Sequence, residues 1–173
     1  MRKIEVVAYT PLWREHFERE VALISPILVG NLIAIEHIGS TSVPNLAAKP
    51  VIDILLEVKS LDVLDTCNAA LQHISYKAKG ENGISGRRYF QKGGNKRSHH
   101  IHAFVKGDEH LFKHRVFRDY LIAMPNIATE YAKIKQDAAI SCNNNSALYC
   151  ELKSDFIAQH LALAVQWHHK NNL

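Results

Sequence analysis

The segment EHIGSTSVPNLAAKPVIDILLEV, residues 36–58, constrains this chain more than any other. A turn of small and hydroxyl-bearing residues (Gly39, Ser40, Thr41, Ser42) leads into an apolar run interrupted by one acid, Asp53. The run is rich in β-branched residues and reads as a buried strand. Strand alternation puts Val51, Asp53, Leu55 and Glu57 on one face. A carboxylate among aliphatic side chains needs a partner, because an unpaired buried charge is prohibitively costly. Two readings stay open. Asp53 forms a structural ion pair with Lys49 or with an arginine from a neighbouring strand, or it belongs to a polar site shared with the Ser40 turn. Gly39 permits close backbone approach and dihedrals that other residues avoid. The hydroxyls are placed to cap a short helix begun at Pro44, whose free N–H groups would attract a phosphate. Turns of this kind also serve as plain caps.

Around that segment the chain alternates between the two periodicities. Thr10-Pro11 has the form of a helix start, followed by Trp13, Phe17, Val21, Ile24 and Leu28 on one face. LIAIEHIG is a strand running into the Gly39 turn. Ser60 opens a second helix with Leu61, Leu64 and Leu71 inward. Residues 79–86, KGENGISG, form a loop. RRYFQK and HHIHAFVK pair as a hairpin across the basic turn GGNKRS. Three helical stretches close the chain: Leu111 to Leu121, a second opened by Pro125, and a third after the break SCNNNS. This order predicts an α+β domain with a mixed sheet whose open side or edge is covered by the C-terminal helices. No repeat or long linker divides residues 1–173, so a single domain is expected.

Composition narrows the class of function. A net charge of +4 suits an anionic partner but is too small to argue for a nucleic-acid binder. Three cysteines, Cys67, Cys142 and Cys150, form no C-x-x-C and read as reduced thiols in a cytoplasmic protein. Residues 1–30 are too charged for a signal-peptide core. No window reaches the ~20 apolar residues of a membrane span. Nucleophile-elbow, zincin and P-loop motifs are all missing from the sequence.

Two further groups of candidates lie on the hairpin. His100 and His102, spaced ~6.6 Å along one strand face, can converge on a small ligand. They donate to a phosphate, ligate a transition metal together with Asp53, or are simply hydrogen-bonded and partly buried. Imidazoles suit Zn²⁺, Ni²⁺ or Fe²⁺ better than Mg²⁺. Arg88 and Lys92 share a face with Phe90 between them, and either grip a polyanion or sit in solvent. Lys49, at the entrance of the Asp53 strand, reaches Asp53 or a phosphate. Arg118-Asp119 reads as an ion pair that orients its helix. Tyr131 and Lys135, four apart, meet on one helix face.

The stretch HIGSTSVPNLAAKPVIDI resembles the signature of the GrpB-like family, within the nucleotidyltransferase superfamily of the DNA polymerase β type. The resemblance continues through Trp13, RRYFQK, HHIHAFV, FRDYL, the Tyr131/Lys135 pair and the Tyr149/Lys153 pair, and so covers nearly the whole chain. It implies a nucleotidyltransferase-like fold, a small mixed sheet with a helical C-terminal portion. The family also occurs fused to dephospho-coenzyme A kinase, a nucleotide context. The implied function is binding of a nucleotide or another phosphorylated small molecule, with nucleotidyl or phosphoryl transfer. Gly39, Ser40, Thr41, Ser42, Lys49, Arg88, Lys92, His100 and His102 would hold the ligand. Asp53 would be catalytic, and would bind a divalent metal with His100 and His102. The alternative is a non-catalytic module for protein contact or folding support. Active members of the superfamily place two carboxylates at i and i+2 and hold two Mg²⁺ about 3.5–4 Å apart. Here Leu55 occupies the second position, and Glu57 lies roughly 13 Å from Asp53 along the strand.

Overall fold

The computed structural model describes residues 3–172. Helix α1 (Leu12–Ile24) precedes strands β1 (Leu32–Ile38) and β2 (Ile52–Val58), which a one-turn 3-10 helix, Ser40–Ser42, separates. Two short helices follow, α2 (Leu61–Thr66) and α3 (Asn68–His73), then β3 (Lys77–Ala78), β4 (Arg88–Lys92) and β5 (His99–Val105). Three helices complete the chain: α4 (Glu109–Ala123), α5 (Pro125–Ser141) and α6 (Ser146–Asn171). The five strands form one mixed sheet in the order β1-β2-β5-β4-β3. Only β2 and β5 run parallel. The α+β class, the mixed sheet and the helical C-terminal portion are as the residue pattern requires.

Local chemistry sets several boundaries. Ser60 caps α2 by accepting a hydrogen bond from the Val63 amide, and Cys67 then breaks the stretch into two short helices. Asn145 accepts from the Ala147 and Leu148 amides and starts α6 where SCNNNS ends α5. The first helix is shorter than its apolar pattern: it stops at Ile24, and Leu28 is buried from the turn that follows. Pro44 begins no helix. The single helical turn is made by Ser40, Thr41 and Ser42 themselves, with no side-chain cap.

The sheet divides two layers. On one face Ile52, Ile54, Leu56, Phe90, Ile101 and Ala103 pack in a continuous apolar core with Trp13, Ile24, Leu64 and Leu71 from α1–α3. On the other, Leu55, Phe104 and Ile38 pack with Leu111 of α4. Helix α4 is tied to this face by charge. Arg115 reaches Glu36 and Glu57 at 2.6 Å each, and Arg118 reaches Glu36 at 3.0 Å. Arg118 also holds its neighbour Asp119 at 2.7 Å, so the expected pair forms and the same guanidinium docks the helix on β1. Among the described residues no helix is long and apolar enough to cross a membrane.

Candidate functional site

Asp53 and the histidines meet because of strand register. β2 and β5 pair in parallel with Asp53 opposite His100 and Leu55 opposite His102. All four side chains therefore point to the face that α4–α6 cover. His100 Nδ1 lies 3.2 Å from Asp53 Oδ1, and His102 Nε2 lies 3.1 Å from the same oxygen. Burial alone would raise the Asp53 carboxyl. The hydrogen bonds from His100 and His102 outweigh it and hold the group well below the usual carboxylate range. Its side chain remains 28 % exposed. The partners of the buried acid are thus two imidazoles of the adjacent strand.

The Gly39 turn is built around Asp53. Gly39 has φ 71° and ψ −173°, and a Cβ at this position would lie 2.6 Å from Asp53 Oδ2. Only glycine allows the turn to close over the carboxylate. Thr41 is buried; its Oγ1 sits 2.9 Å from His37 Nε2 and donates to the Val51 carbonyl at 3.4 Å. That hydroxyl pins the turn to both flanking strands. Burial lowers His37 to about 4, so it is neutral here. Ser42 donates to the Gly39 carbonyl at 2.5 Å and closes the turn locally. Ser40 faces α5 and lines the same cavity as Tyr131.

Gly39, Ser40 and Thr41 line a cavity of about 200 Å³ with Asp53 at its base and His100 at its wall. Its other walls come from Lys49 and from two helices, α5 with Tyr131 and Lys135, and α6 with Tyr149 and Lys153. Each lysine lies against an aromatic face: Lys49 and Lys153 at 4.3 and 4.4 Å from the Tyr149 centroid, Lys135 at 4.6 Å from that of Tyr131. Lys135 is 2 % exposed and donates to the Ala47 carbonyl at 2.5 Å. Burial, then the charges of Lys153 and Lys49, lowers Lys135 to about 7. Burial lowers Lys153 as well. Asp53 is the one carboxylate among the lining residues.

Of the expected ligand-binding residues, Ser42 and His102 do not line this cavity, and two others lie on the opposite face of the sheet. Arg88 and Lys92 are on β4 beside Phe90, opposite Ala103 and His99, and so face the α1–α3 layer. Arg88 makes a forked contact with Asp65 of α2 at 2.8–3.1 Å. Lys92 holds the buried Glu20 of α1 at 2.8 Å. Both cations are consumed on the far side of the sheet. The β4 residues on the site face are Tyr89 and Gln91, and the Tyr89 ring lies 5.4 Å from His100 and 5.2 Å from His102.

The two-Mg²⁺ arrangement that the sequence resemblance implies does not fit these residues. Leu55, at the position of the second carboxylate, is 1 % exposed and packed on Phe104 and Leu111. Glu57 is engaged by Arg115. Strand β5 sets imidazoles, not carboxylates, beside Asp53 and Leu55. The residues that sequence reasoning passed over are Lys153, Arg87 and Arg97, together with Tyr131 and Tyr149 as lysine platforms. A signal was present: the spacing Tyr-x-x-x-Lys occurs in both C-terminal helices, at 131/135 and 149/153.

Comparisons with known proteins agree with this architecture. The UPF0157 protein YqkA of Bacillus subtilis (strain 168) is 44 % identical over 166 residues, covering 96 % of this chain and 48 % of YqkA. The chain thus spans about half the length of that relative. The UPF0157 protein PA4798 of Pseudomonas aeruginosa is 34 % identical over 169 residues, 94 % of this chain and 68 % of that protein. The crystal structure of conserved protein GrpB from Enterococcus faecalis superposes with a TM-score of 0.91 at 39 % identity, over 95 % of this chain and 99 % of that one. The family model described as GrpB protein matches residues 3–163. With almost its whole described length matched, the chain belongs to the GrpB family.

Proposed function

We propose that the cavity above Asp53 binds a phosphorylated small molecule of the nucleotide class. The observation that carries this reading is the convergence of Lys49, Lys135 and Lys153 on a cavity lined by a single carboxylate. Burial, and after it the charges of Lys153 and Lys49, depresses Lys135, so crowding the ammonium groups adds to the cost of burying them. An anion with several oxygens relieves that repulsion and gains charge-assisted hydrogen bonds. Ser40 and Gly39 line the same cavity and would contact the same group. His100 and Asp53 would then meet the non-phosphate end of the ligand. Leu55, sealed in the core, favours binding over a two-metal transfer reaction.

A thermal-shift series with pyrophosphate, nucleotides, coenzyme A precursors and phosphosugars tests the proposal. A ligand at a hundred times its dissociation constant should stabilise the protein by about 2.7 kcal/mol. Lys153→Met should abolish that response while the variant remains folded. A flat response across the whole series overturns the reading and leaves a scaffold for protein contact.

Proton linkage sharpens the test. Because Lys135 titrates near 7 in the folded protein, anion binding should draw a proton above that pH. Affinity should then fall by up to about tenfold per pH unit above 7. The same group shapes stability without ligand. Between pH 7 and its unfolded value near 10.4 the unfolded chain holds the extra proton, so Lys135 makes the wild type more stable as pH rises. Lys135→Met lacks this dependence. Its stability relative to wild type should therefore be highest at pH 7 and below, and should decline towards pH 10 in denaturant titrations.

A further inference from the structure

The Asp53, His100 and His102 atoms lie within 4.8 Å of one another, close enough for one metal ion. What surrounds them argues otherwise. A histidine that ligates a metal presents a bare nitrogen inward and turns its N–H outward, towards a carboxylate, carbonyl or water that accepts it. The outward nitrogens here meet donors. His100 Nε2 is 3.4 Å from Arg97 Nη1, and His102 Nδ1 is 3.5 Å from Arg87 Nη1. A guanidinium accepts nothing and keeps its protons. Each ring must therefore accept on its outer nitrogen and carry its proton on the inner one, aimed at Asp53 Oδ1. Arg87 has little freedom to leave: it is buried, donates to the Glu81 and Asn82 carbonyls at 3.1 and 2.7 Å, and covers the Tyr89 ring. The charge of the cavity points the same way, since its three lysines repel a cation.

We infer that two arginine–histidine relays keep Asp53 as a metal-free anion, which takes a hydrogen bond from a hydroxyl or amino group of the ligand. Both imidazoles spend their N–H groups on Oδ1, and Oδ2 lies along Gly39 at the cavity base. Arg87 and Arg97 are positioning residues: they act through the rings and set opposite tautomers, Nδ1–H in His100 and Nε2–H in His102. The ligand contact of Asp53 rests on the proposed function, while the tautomers and the metal-free carboxylate do not depend on what the lysines bind.

Long-range ¹H–¹⁵N spectra of the imidazoles test it without any phosphorylated ligand. His100→Gln and His102→Gln supply the assignments. The wild type should show the two opposite tautomers, and one equivalent of Zn²⁺, Ni²⁺ or Mn²⁺ should leave both rings unmoved. Arg97→Gln replaces a donor with a side chain that can accept the outer N–H. It should raise Zn²⁺ affinity by at least about tenfold, the size of effect that second partners have on histidine–metal sites. Stoichiometric metal binding by the wild type that His100→Gln removes would overturn the inference, as would the reversed tautomers. An Arg97→Gln protein that folds and gains no metal affinity counts against the positioning role. Should that variant fail to fold, the wild-type spectra decide alone.

Discussion

The two faces of the sheet are made from the same strands and serve opposite ends. Toward α1–α3, the middle of β2, β4 and β5 presents apolar residues, Ile52, Ile54, Leu56, Phe90, Ile101 and Ala103, with Arg88, Lys92 and His99 at the strand ends. Two ion pairs lie there, Arg88 with Asp65 and Lys92 with the buried Glu20, and each finds its partner within the layer. Toward α4–α6 the intervening residues grade along β2. Glu57 is clamped by Arg115, Leu55 is sealed by Leu111, and Asp53 opens on the cavity. The difference lies in what the covering helices bring. Helix α4 supplies an apolar contact and two arginines that neutralise the acids of β1 and β2. Helices α5 and α6 supply lysines held over tyrosine rings, whose heads remain in the cavity wall. A face that neutralises its charges internally builds stability. One that gathers like charges around a cavity gives up stability, and on that feature the proposed binding rests.

Substitutions can separate these roles. The largest loss of stability should follow Phe90→Ala on the closed face. The ring is 1 % exposed, and its removal should cost about 3–5 kcal/mol by urea unfolding. Gly39→Ala comes next, on the open face. It forces a side chain into a positive-φ position and against Asp53 Oδ2, for about 1–3 kcal/mol. Unlike Phe90→Ala, it should also disturb the imidazole resonances of His100 and His102, because the displaced carboxylate carries both hydrogen bonds. Arg88→Ala should be mildest, below about 1 kcal/mol, because its partner Asp65 is partly solvated. It should leave the ligand response of the cavity unchanged. A weakened response there would mean that the sheet does not insulate its two faces.

Much of the site was legible in the residues because it is local. Gly39 and its hydroxyl-bearing neighbours read as a turn with unusual dihedrals, and the structure then showed Asp53 as what the missing Cβ makes room for. His100 and His102 share a face by strand alternation alone. The fate of Arg88 and Lys92 was not legible, although their pairing on one face was. Alternation says which residues of β4 go together, while the hairpin register says which layer they meet. With Tyr89 opposite His102, the arginine and lysine fall on the far side; a slip of one residue would have brought them into the cavity.

By itself, then, the sequence determined the main helices and strands, the caps at Ser60 and Asn145 and the α+β class. These rest on periodicity and backbone sterics within a few residues. Tertiary structure alone decided that Asp53 is answered by imidazoles, that arginines stand behind those rings, and that Lys135 and Lys153 arrive from helices far along the chain. The reason is physical. Charge partners are chosen by distance in space, and that distance exists only once the C-terminal helices have docked on the sheet.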